Sequence, residues 1–260
     1  SDRESDRKEQ LRPHNFNSYK TVMKHLEEIR RYWDSRSEGY RMQVDEEIRD
    51  HREEEYRAFF RNLPAGSEVL DIGCGPGFFT RLLSSLSMKV TAADYSEGML
   101  KQARNLLSET PDAQVRFFQA DAQKLPFNAD SFDAVVSRNL VWNLENPESA
   151  YREWFRVLKP GGRLFVFDGN HYCYLFDKTY ADIHKAQTEQ SKHILLGIKT
   201  SVIDEIAEDL PLSRHVRPDW DKAVLAKVGF VNISTEILKT VETRDKRLMP
   251  THFAVVARKP

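Results

Sequence analysis

The segment VLDIGCGPGFF packs three glycines into five positions directly after an apolar run. Gly73, Gly75 and Gly77 stand where a strand should pass into a helix. Bare backbone there lets a ligand approach closely, and the first amides of a helix can receive an anionic group. Asp71 precedes the glycines, and Asp94 ends the next predicted strand. Asp94 is therefore placed to accept hydrogen bonds from two ribose hydroxyls.

The pattern around these glycines distinguishes between two kinds of adenine-containing ligand. Dinucleotide-binding turns follow Gly-x-Gly-x-x-Gly, and Phe78 occupies the position of the last glycine here. That ring counts against NAD, and the carboxylate of Asp71 disfavours a pyrophosphate. The same carboxylate suits a ligand that carries an ammonium group and a sulfonium. Adenine, ribose, an amino acid and a sulfonium together describe S-adenosylmethionine, which is the predicted cofactor.

The composition of the chain restricts the classes of protein that need to be considered. Its 260 residues include 40 % hydrophobic and 30 % charged residues, which is enough to bury one sizeable core. The net charge of -1 argues against a nucleic-acid binder. No apolar run approaches the ~20 residues of a membrane span, and the first residues lack the apolar region of a secretory signal. With two cysteines only, we expect a cytoplasmic protein without a metal site.

The elements that must position the glycine turn follow from the alternation of two patterns. Short β-branched or aromatic runs alternate with helical patterns that begin at Phe78, Glu97 and Pro147. This alternation predicts βαβ units and a mostly parallel sheet, with ligands at the carboxyl ends of the strands. After Asp168 the pattern changes to amphipathic helix. Two final strands joined by a short charged link are predicted to pair antiparallel.

Four segments, in order and spacing, resemble the class I S-adenosylmethionine-dependent methyltransferases, in the small-molecule branch that includes ubiquinone/menaquinone-type enzymes. They are VLDIGCGPG, VTAADYSEGMLKQAR, FFQADAQKLPFNADSFDAVVSRN and REWFRVLKPGGRLFVFD. The resemblance implies an α/β fold, with a Rossmann-like seven-stranded, mostly parallel sheet, an antiparallel terminal hairpin and a helical cap. We expect a cap over residues 1–62, a cofactor-binding core over 63–170, a lid insertion over 171–215 and completion of the core over 216–260.

The resemblance also implies cofactor contacts. Asp71 and the backbone of Gly73 and Gly75 would hold the methionine moiety, and Asp94 would hold the ribose. Further contacts would come from the rest of the turn and from later segments, namely Cys74, Gly77, Tyr95 beside the ribose, Met99 on the adenine, Asp121 at the adenine amino group, the Ala122 amide and the Arg138 backbone.

Residues from three segments of the chain are predicted to lie around the transferred methyl group. The segment YWDSRSEGY resembles an aromatic-acid signature of the family, so Tyr40 is predicted to face the methionine end or the acceptor, with Tyr19 nearby. Trp142 and Asn143 stand where the family often has histidines. Asn143 would orient an acceptor by hydrogen bonding, but an amide cannot remove a proton. His171, just after the fifth strand, is the candidate base because an imidazole titrates near neutral pH.

The predicted function is methyl transfer from S-adenosylmethionine to a small-molecule acceptor, through positioning and desolvation in a capped pocket. Arg214 and Arg217 follow the lid and are candidates to meet an anionic group of that acceptor. Two alternatives stay open: a non-catalytic S-adenosylmethionine-binding protein, and a nucleotide-dependent oxidoreductase. The sequence decides neither the acceptor atom, among oxygen, nitrogen, sulfur and carbon, nor the oligomeric state.

Overall fold

A computed structural model describes residues 25–108, 110, 113–188 and 194–260 of the chain. Its centre is a seven-stranded sheet in the order β3-β2-β1-β4-β5-β7-β6. The strands are β1 (Glu68–Ile72), β2 (Lys89–Asp94), β3 (Val115–Gln119), β4 (Phe132–Arg138), β5 (Leu158–Gly169), β6 (Val231–Glu242) and β7 (Leu248–Arg258). Tyr19, which the sequence predicts near Tyr40, lies outside the described residues.

Helices cover both faces of this sheet. In the described part of the chain they are α1 (Leu26–Arg49), α2 (Glu54–Arg57), α3 (Phe78–Ser85), α4 (Glu97–Leu107), α5 (Pro147–Val157), α6 (Lys178–Thr188), α7 (Ser201–Asp209) and α8 (Asp219–Val228). None of the helices within these described ranges is both long and apolar enough to cross a lipid bilayer.

The sheet has the predicted mixture of directions. Strands β1 to β5 pair in parallel, with β1 between β2 and β4. The terminal strands pair antiparallel with each other, and β7 lies between β5 and β6. The order changes direction at β1, so the turns after β1 and β4 open a crevice at the carboxyl ends of the strands, where α/β sheets bind ligands. The predicted fold is confirmed.

The starts of α3, α4 and α5 are confirmed at the predicted residues, and side-chain caps define those of α4 and α5. The hydroxyl of Ser96 accepts a hydrogen bond from the Met99 amide (3.0 Å) at the start of α4. Asn146 accepts from the Ser149 amide (3.0 Å) before α5, and Pro147 opens that helix. The helices α3 and α4 thus begin shortly after the carboxyl ends of β1 and β2.

Two cores flank the sheet, and the cap adds a smaller apolar cluster. Trp154 and Tyr151 of α5 fill one face, and Phe60, Phe79 and Phe165 fill the other. Phe60 precedes the sheet, so the last part of the expected cap segment packs on the core. The third cluster joins α1 and α7 across the crevice, through Ile29, Tyr32, Trp142, Ile203, Ile206 and Leu210.

Candidate functional site

A cavity of about 900 Å³ lies at the carboxyl ends of the strands, beneath α1 and the 171–215 segment. Of the residues predicted from the sequence, the lining includes Tyr40, Asp71, Gly73, Cys74, Gly75, Asp94, Tyr95, Met99, Asp121, Ala122, Arg138, Asn143 and His171. The fold thus brings together residues that are more than 100 positions apart. Of the predicted cofactor residues, Gly77 does not line this cavity.

The glycine turn is held against the end of β2 by its own backbone. The amides of Gly73 and Cys74 both donate to the Ala93 carbonyl, at 2.8 and 3.1 Å. Gly73 and Gly75 have left-handed φ angles of 67° and 53°, a region that favours glycine. A Cβ at Gly73 would lie 2.7 Å from a methyl carbon of Leu140. The turn therefore presents bare backbone to the cavity.

Gly77 serves helix packing. Its φ is 98°, and a Cβ there would lie 3.2 Å from the Cβ of Ala103 on α4. The absence of a side chain lets the start of α3 approach α4 closely. The last glycine of a dinucleotide-binding turn has the same packing function. The dinucleotide pattern places this glycine at the position of Phe78. In this chain Gly77, one position earlier, provides the close packing instead.

Asp94 is anchored by two backbone amides. Its Oδ2 accepts from the Gly75 amide and its Oδ1 from the Ser96 amide, both at 2.9 Å. A carboxylate has about four lone-pair directions, so two such bonds leave room for two ligand hydroxyls. Burial raises the pKa of Asp94 to about 6, against the opposing effect of these amide bonds. The orientation and remaining capacity fit a ribose diol.

Asp71 is the more deeply buried acid, with 1 % of its surface exposed. Its Oδ2 accepts a hydrogen bond from the Thr80 hydroxyl at 2.6 Å. Burial raises the pKa of Asp71 to about 7, although the Thr80 bond opposes the shift, and the negative charge of Asp94 adds to it. A cation bound nearby would favour the ionised form. The site therefore fits the ammonium group of a methionine moiety.

The other predicted cofactor residues line the same cavity. Met99 is buried on α4, and Asp121 accepts from the Gln123 amide at 2.9 Å. The Ala122 carbonyl accepts from the Trp154 indole at 3.0 Å. Burial raises the pKa of the Cys74 thiol well above its ordinary value, so this side chain is a neutral apolar contact.

Arg138 lines the cavity, and its side chain contacts Glu47 of α1 and Phe78 of α3. Its Nη1 lies 2.8 Å from Oε2 of Glu47, and its guanidinium carbon lies 4.1 Å from the centre of the Phe78 ring. The pair joins the end of β4 to α1, and the ring contact adds a cation–π interaction. The ring that argued against a dinucleotide thus packs on the arginine whose backbone was predicted at the methionine pocket.

Tyr40 lies beside the glycine turn. A Cβ at Gly75 would be 3.6 Å from the Tyr40 ring, and the Trp33 ring centre lies 5.8 Å from that of Tyr40. Burial raises the pKa of the Tyr40 hydroxyl, which is therefore neutral at physiological pH. The structure thus places this side chain on the cavity wall next to the glycine turn.

Several aromatic side chains line the same cavity as the glycine turn. Trp142 stacks on Tyr172 with ring centres 4.8 Å apart and an interplanar angle of 25°. Trp33 meets Trp142 edge to face at 6.3 Å. We call Trp33, Trp142 and Tyr172 the aromatic wall. Asn143 follows it, and its buried Oδ1 has no hydrogen-bond partner among the described residues. An unpaired buried acceptor costs ~1–3 kcal/mol, which a ligand donor would offset.

His171 lies next to the aromatic wall and a buried acid. Its Nε2 is 3.6 Å from Oδ1 of Asp168, and its ring centre is 5.5 Å from that of Trp142. The ring of His252 lies 5.5 Å from that of His171. Burial lowers the pKa of His252 to about 4, so this second imidazole is neutral near pH 7. His171 thus lies between the buried carboxylate of Asp168 and the neutral ring of His252.

The two arginines predicted to meet an anionic acceptor do not line the cavity. Arg217 is 1 % exposed, and its guanidinium pairs with Asp168 at 2.8 Å and Asp221 at 2.7 Å. Arg214 lies over the Phe176 ring at 3.8 Å. The prediction is wrong for Arg217, because the strand-end acid Asp168, which is 49 positions earlier, folds against it.

The sequence analysis did not identify a residue of α1 that contacts the turn after Asp94. Asp34 of α1 accepts from the Ser96 hydroxyl at 2.6 Å and from the Gly98 amide at 3.0 Å. It is the first of the two acids in the segment YWDSRSEGY, in which only Tyr40 is predicted as a site residue. This acid was the available signal, but nothing in the linear order related it to residues 62 positions later.

The chain was compared with known proteins. A family model described as a methyltransferase domain matches residues 70–166. The ubiquinone/menaquinone biosynthesis C-methyltransferase UbiE of Pseudomonas paraeruginosa is 34 % identical over 179 residues, which cover 65 % of this chain and 67 % of that protein. A demethylmenaquinone methyltransferase of Clavibacter sepedonicus is 43 % identical over 102 residues, 39 % of this chain and 41 % of that protein.

The fold also matches solved structures. Phosphoethanolamine N-methyltransferase 2 of Haemonchus contortus, solved in complex with S-adenosyl-L-methionine, gives a TM-score of 0.57 at 19 % identity. The match covers 81 % of this chain and 52 % of that one, so the chain spans about half the length of that enzyme. A putative methyltransferase of Bacillus halodurans gives a TM-score of 0.52 at 24 % identity, over 78 % of this chain and 97 % of that one.

The fold, the glycine turn and the two strand-end acids define a class I S-adenosylmethionine-dependent methyltransferase. The chain belongs to this family, in the branch of the ubiquinone/menaquinone C-methyltransferases. It is an enzyme that uses S-adenosylmethionine to methylate a small molecule. The predicted family, cofactor and reaction are confirmed, and the comparisons support neither the non-catalytic binder nor the oxidoreductase.

Proposed function

We propose that the acceptor is a hydroxylated aromatic ring of the quinol class and that the methyl group is transferred to a ring carbon. The supporting observation is the aromatic wall, which lines the same cavity as the glycine turn. Flat aromatic faces and edges bind a planar ring in stacked or edge-to-face geometry. The names of the relatives, which act in ubiquinone and menaquinone biosynthesis, agree with such an acceptor.

S-adenosylmethionine would supply an electrophilic methyl carbon on its sulfonium. Asp94 would bind the ribose, Asp71 the ammonium group, and Asp121 the adenine amino group. Gly73, Cys74, Gly75, Tyr95, Met99, Ala122 and the Arg138 backbone would complete this half of the site. Gly77 supports it by packing on α4. In this arrangement Tyr40 covers the methionine end, next to the acceptor.

The acceptor needs to lose a proton before its ring carbon becomes a good nucleophile. We assign this step to His171, which takes the proton of a ring hydroxyl, and Asp168 stabilises the resulting imidazolium. Asn143 would accept a hydrogen bond from a second hydroxyl through its unpaired Oδ1. As the new carbon–carbon bond forms, the bond between that methyl carbon and the sulfonium sulfur would break, with its electron pair left on the sulfur. The methylated ring carbon would then release its proton to solvent, His171 would return its proton to the ring oxygen, and the ring would regain aromaticity.

The cap would exclude water and hold the two reactants in line. Residues of α1 and of the 171–215 segment line one cavity with the glycine turn. Alignment of a nucleophile with an activated methyl group can contribute ~7–11 kcal/mol to lowering the barrier. We therefore propose that the 1–62 cap and the 171–215 lid close over a cofactor core at 63–170, which residues 216–260 complete.

We further propose a reducing, cytoplasmic location and no nucleic-acid substrate. The buried free thiols of Cys74 and Cys173 and the net charge of -1 support these proposals.

A substrate panel tests the acceptor class. The protein is incubated anaerobically with S-adenosylmethionine and one of four acceptors: 1,4-naphthohydroquinone, 1,4-benzohydroquinone, phosphoethanolamine or a small thiol. We expect S-adenosylhomocysteine formation with the hydroquinones, and a product whose NMR spectrum shows a methyl group on carbon. Turnover of phosphoethanolamine or the thiol without an aromatic product would contradict the proposal.

The assignment of His171 is tested with a matched histidine. His171→Gln is expected to lower kcat by about 10²–10⁴-fold and to leave the Kd for S-adenosylmethionine unchanged. His215→Gln is the control, because His215 is exposed and does not line the cavity. A kcat within about threefold of wild type for His171→Gln would show that another group, or water, takes the proton.

A further inference from the structure

Asp34 connects the cap helix to the turn that carries the proposed ribose acid. Its Oδ1 accepts from both the Ser96 hydroxyl (2.6 Å) and the Gly98 amide (3.0 Å). The amide of Ser96 in turn donates to Asp94 at 2.9 Å. A single carboxylate oxygen of α1 therefore holds the segment that follows Asp94.

The second oxygen of Asp34 extends this connection. Its Oδ2 accepts from Nη1 of Arg30 at 2.7 Å, and Nε of Arg30 donates to Glu27 at 2.9 Å. The other oxygen of Glu27 accepts from the hydroxyl of Tyr95 at 2.8 Å. Tyr95 directly follows Asp94, so the hydrogen bonds return to the same turn. Asp34 and Glu27, which Arg30 links, thus both hydrogen-bond to the short segment from Tyr95 to Gly98.

The contact between α1 and the start of α4 is also sterically close. A Cβ at Gly98 would lie 3.0 Å from the Ser37 hydroxyl and 3.1 Å from the Cα of Asp34. Gly98 has no left-handed φ, so glycine is used here to allow close approach. The turn and the helix therefore fit with little freedom to shift.

We infer that Asp34 is a positioning residue for the cofactor, which holds the β2–α4 turn so that Asp94 faces the ribose. The inference rests on the proposed role of Asp94. The inference extends the site to α1. Asp34 does not touch the ligand in this arrangement, but it sets the orientation of Asp94, which does. The charge of Asp34 acts on Asp94 as well, because it raises the pKa of that carboxyl.

A double-mutant cycle tests this inference in the full chain. Calorimetry at pH 7.5 measures the Kd for S-adenosylmethionine in Asp34→Ala, Asp94→Ala and the double variant. Asp34→Ala alone is expected to weaken binding by about five- to tenfold, the magnitude of a lost helix cap. In the Asp94→Ala background the same change should weaken binding by less than about twofold.

Asp45→Ala is the matched control. Asp34 and Asp45 both accept from the arginine four residues earlier on α1, at 2.7 and 2.8 Å. The carboxylate of Asp45 makes no hydrogen bond to the β2–α4 turn in the described structure, so Asp45→Ala should leave the Kd within about twofold in both backgrounds. Asp34→Asn keeps an acceptor oxygen, and we expect it to restore affinity to within about threefold of wild type.

Kinetics separate positioning from a general loss of structure. Asp34→Ala should raise KM for S-adenosylmethionine, with kcat at saturating cofactor within about twofold of wild type. If Asp34→Ala unfolds the protein, Ser96→Ala breaks the same link from the other side and is measured instead. Independent, multiplicative effects of Asp34→Ala and Asp94→Ala would overturn the inference. A normal Kd for folded Asp94→Ala would instead refute the ribose assignment itself.

Discussion

Acidification should weaken cofactor binding through the two buried carboxyl groups of the site. In the ligand-free protein the pKa of Asp71 lies at about 7 and that of Asp94 at about 6. Below these values the groups are protonated and neutral. A neutral Asp71 loses its attraction for an ammonium group, and a neutral Asp94 is a weaker acceptor for ribose hydroxyls. Affinity should therefore fall as the pH falls from 8 to 6.

The magnitude follows if S-adenosylmethionine binds only the ionised forms. Each group multiplies the apparent Kd by one plus the ratio of its protonated to its ionised form. At pH 8 the combined factor is ~1.1, and at pH 6 it is ~22, elevenfold from Asp71 and twofold from Asp94. Binding should thus be about twentyfold weaker at pH 6, or ~1.8 kcal/mol. At pH 6.5 the ligand should displace about one proton per site.

Calorimetry measures both quantities. Titrations from pH 6 to 8 give the Kd, and titrations at pH 6.5 in buffers of different ionisation enthalpy give the protons released. Asp133→Asn is the control, since Lys159 and the Glu68 amide hold the pKa of Asp133 below its ordinary value, against the effect of burial. A Kd that is constant over this range, with no proton released, would refute the assignment of these acids to the cofactor.

Three further variants test the burial of Asp71, the ion pairs of Arg217 and the hydroxyl of Tyr40. Because the pKa of Asp71 is raised on folding, its ionised form destabilises the native state above pH 7; Asp71→Asn should raise Tm at pH 8 by at least ~3 °C and lose this gain at pH 4. Arg217→Ala leaves Asp168 and Asp221 unpaired and should cost ~3–5 kcal/mol in urea unfolding, whereas an unchanged midpoint would show that these charges are not buried as a network. Tyr40→Phe should lower turnover about tenfold with Kd for the cofactor within about twofold, and wild-type turnover across the acceptor panel would exclude a catalytic hydroxyl.

Local patterns were sufficient to predict the parallel core. The strand–glycine–helix segment after β1 and the acid that ends β2 are set by contacts between near neighbours in the chain. The starts of α4 and α5 depend on caps three residues away, at Ser96 and Asn146. Such short-range rules can be read from one sequence.

Contacts between distant segments were not accessible in the same way. The sequence made Arg217 a candidate contact of an anionic acceptor, because Asp168 and its position inside the core become its environment only when the chain folds. The link from Asp34 to Ser96 and Gly98 requires α1 to cross the start of α4. Charged residues carry no periodic signal that identifies their partner, so their pairing is invisible in the linear order.

The sequence by itself determined the fold, the cofactor and the reaction class, because the turn and acids assigned to S-adenosylmethionine occur in an ordered set of short motifs. Tertiary structure alone decided which side chains share the cavity with the glycine turn. Trp33, Trp142, Tyr172 and His171 come from three separate segments, and they form one surface only because α1 and the 171–215 segment pack over the sheet. Acceptor recognition depends on the relative placement of side chains from these segments, which no local pattern encodes.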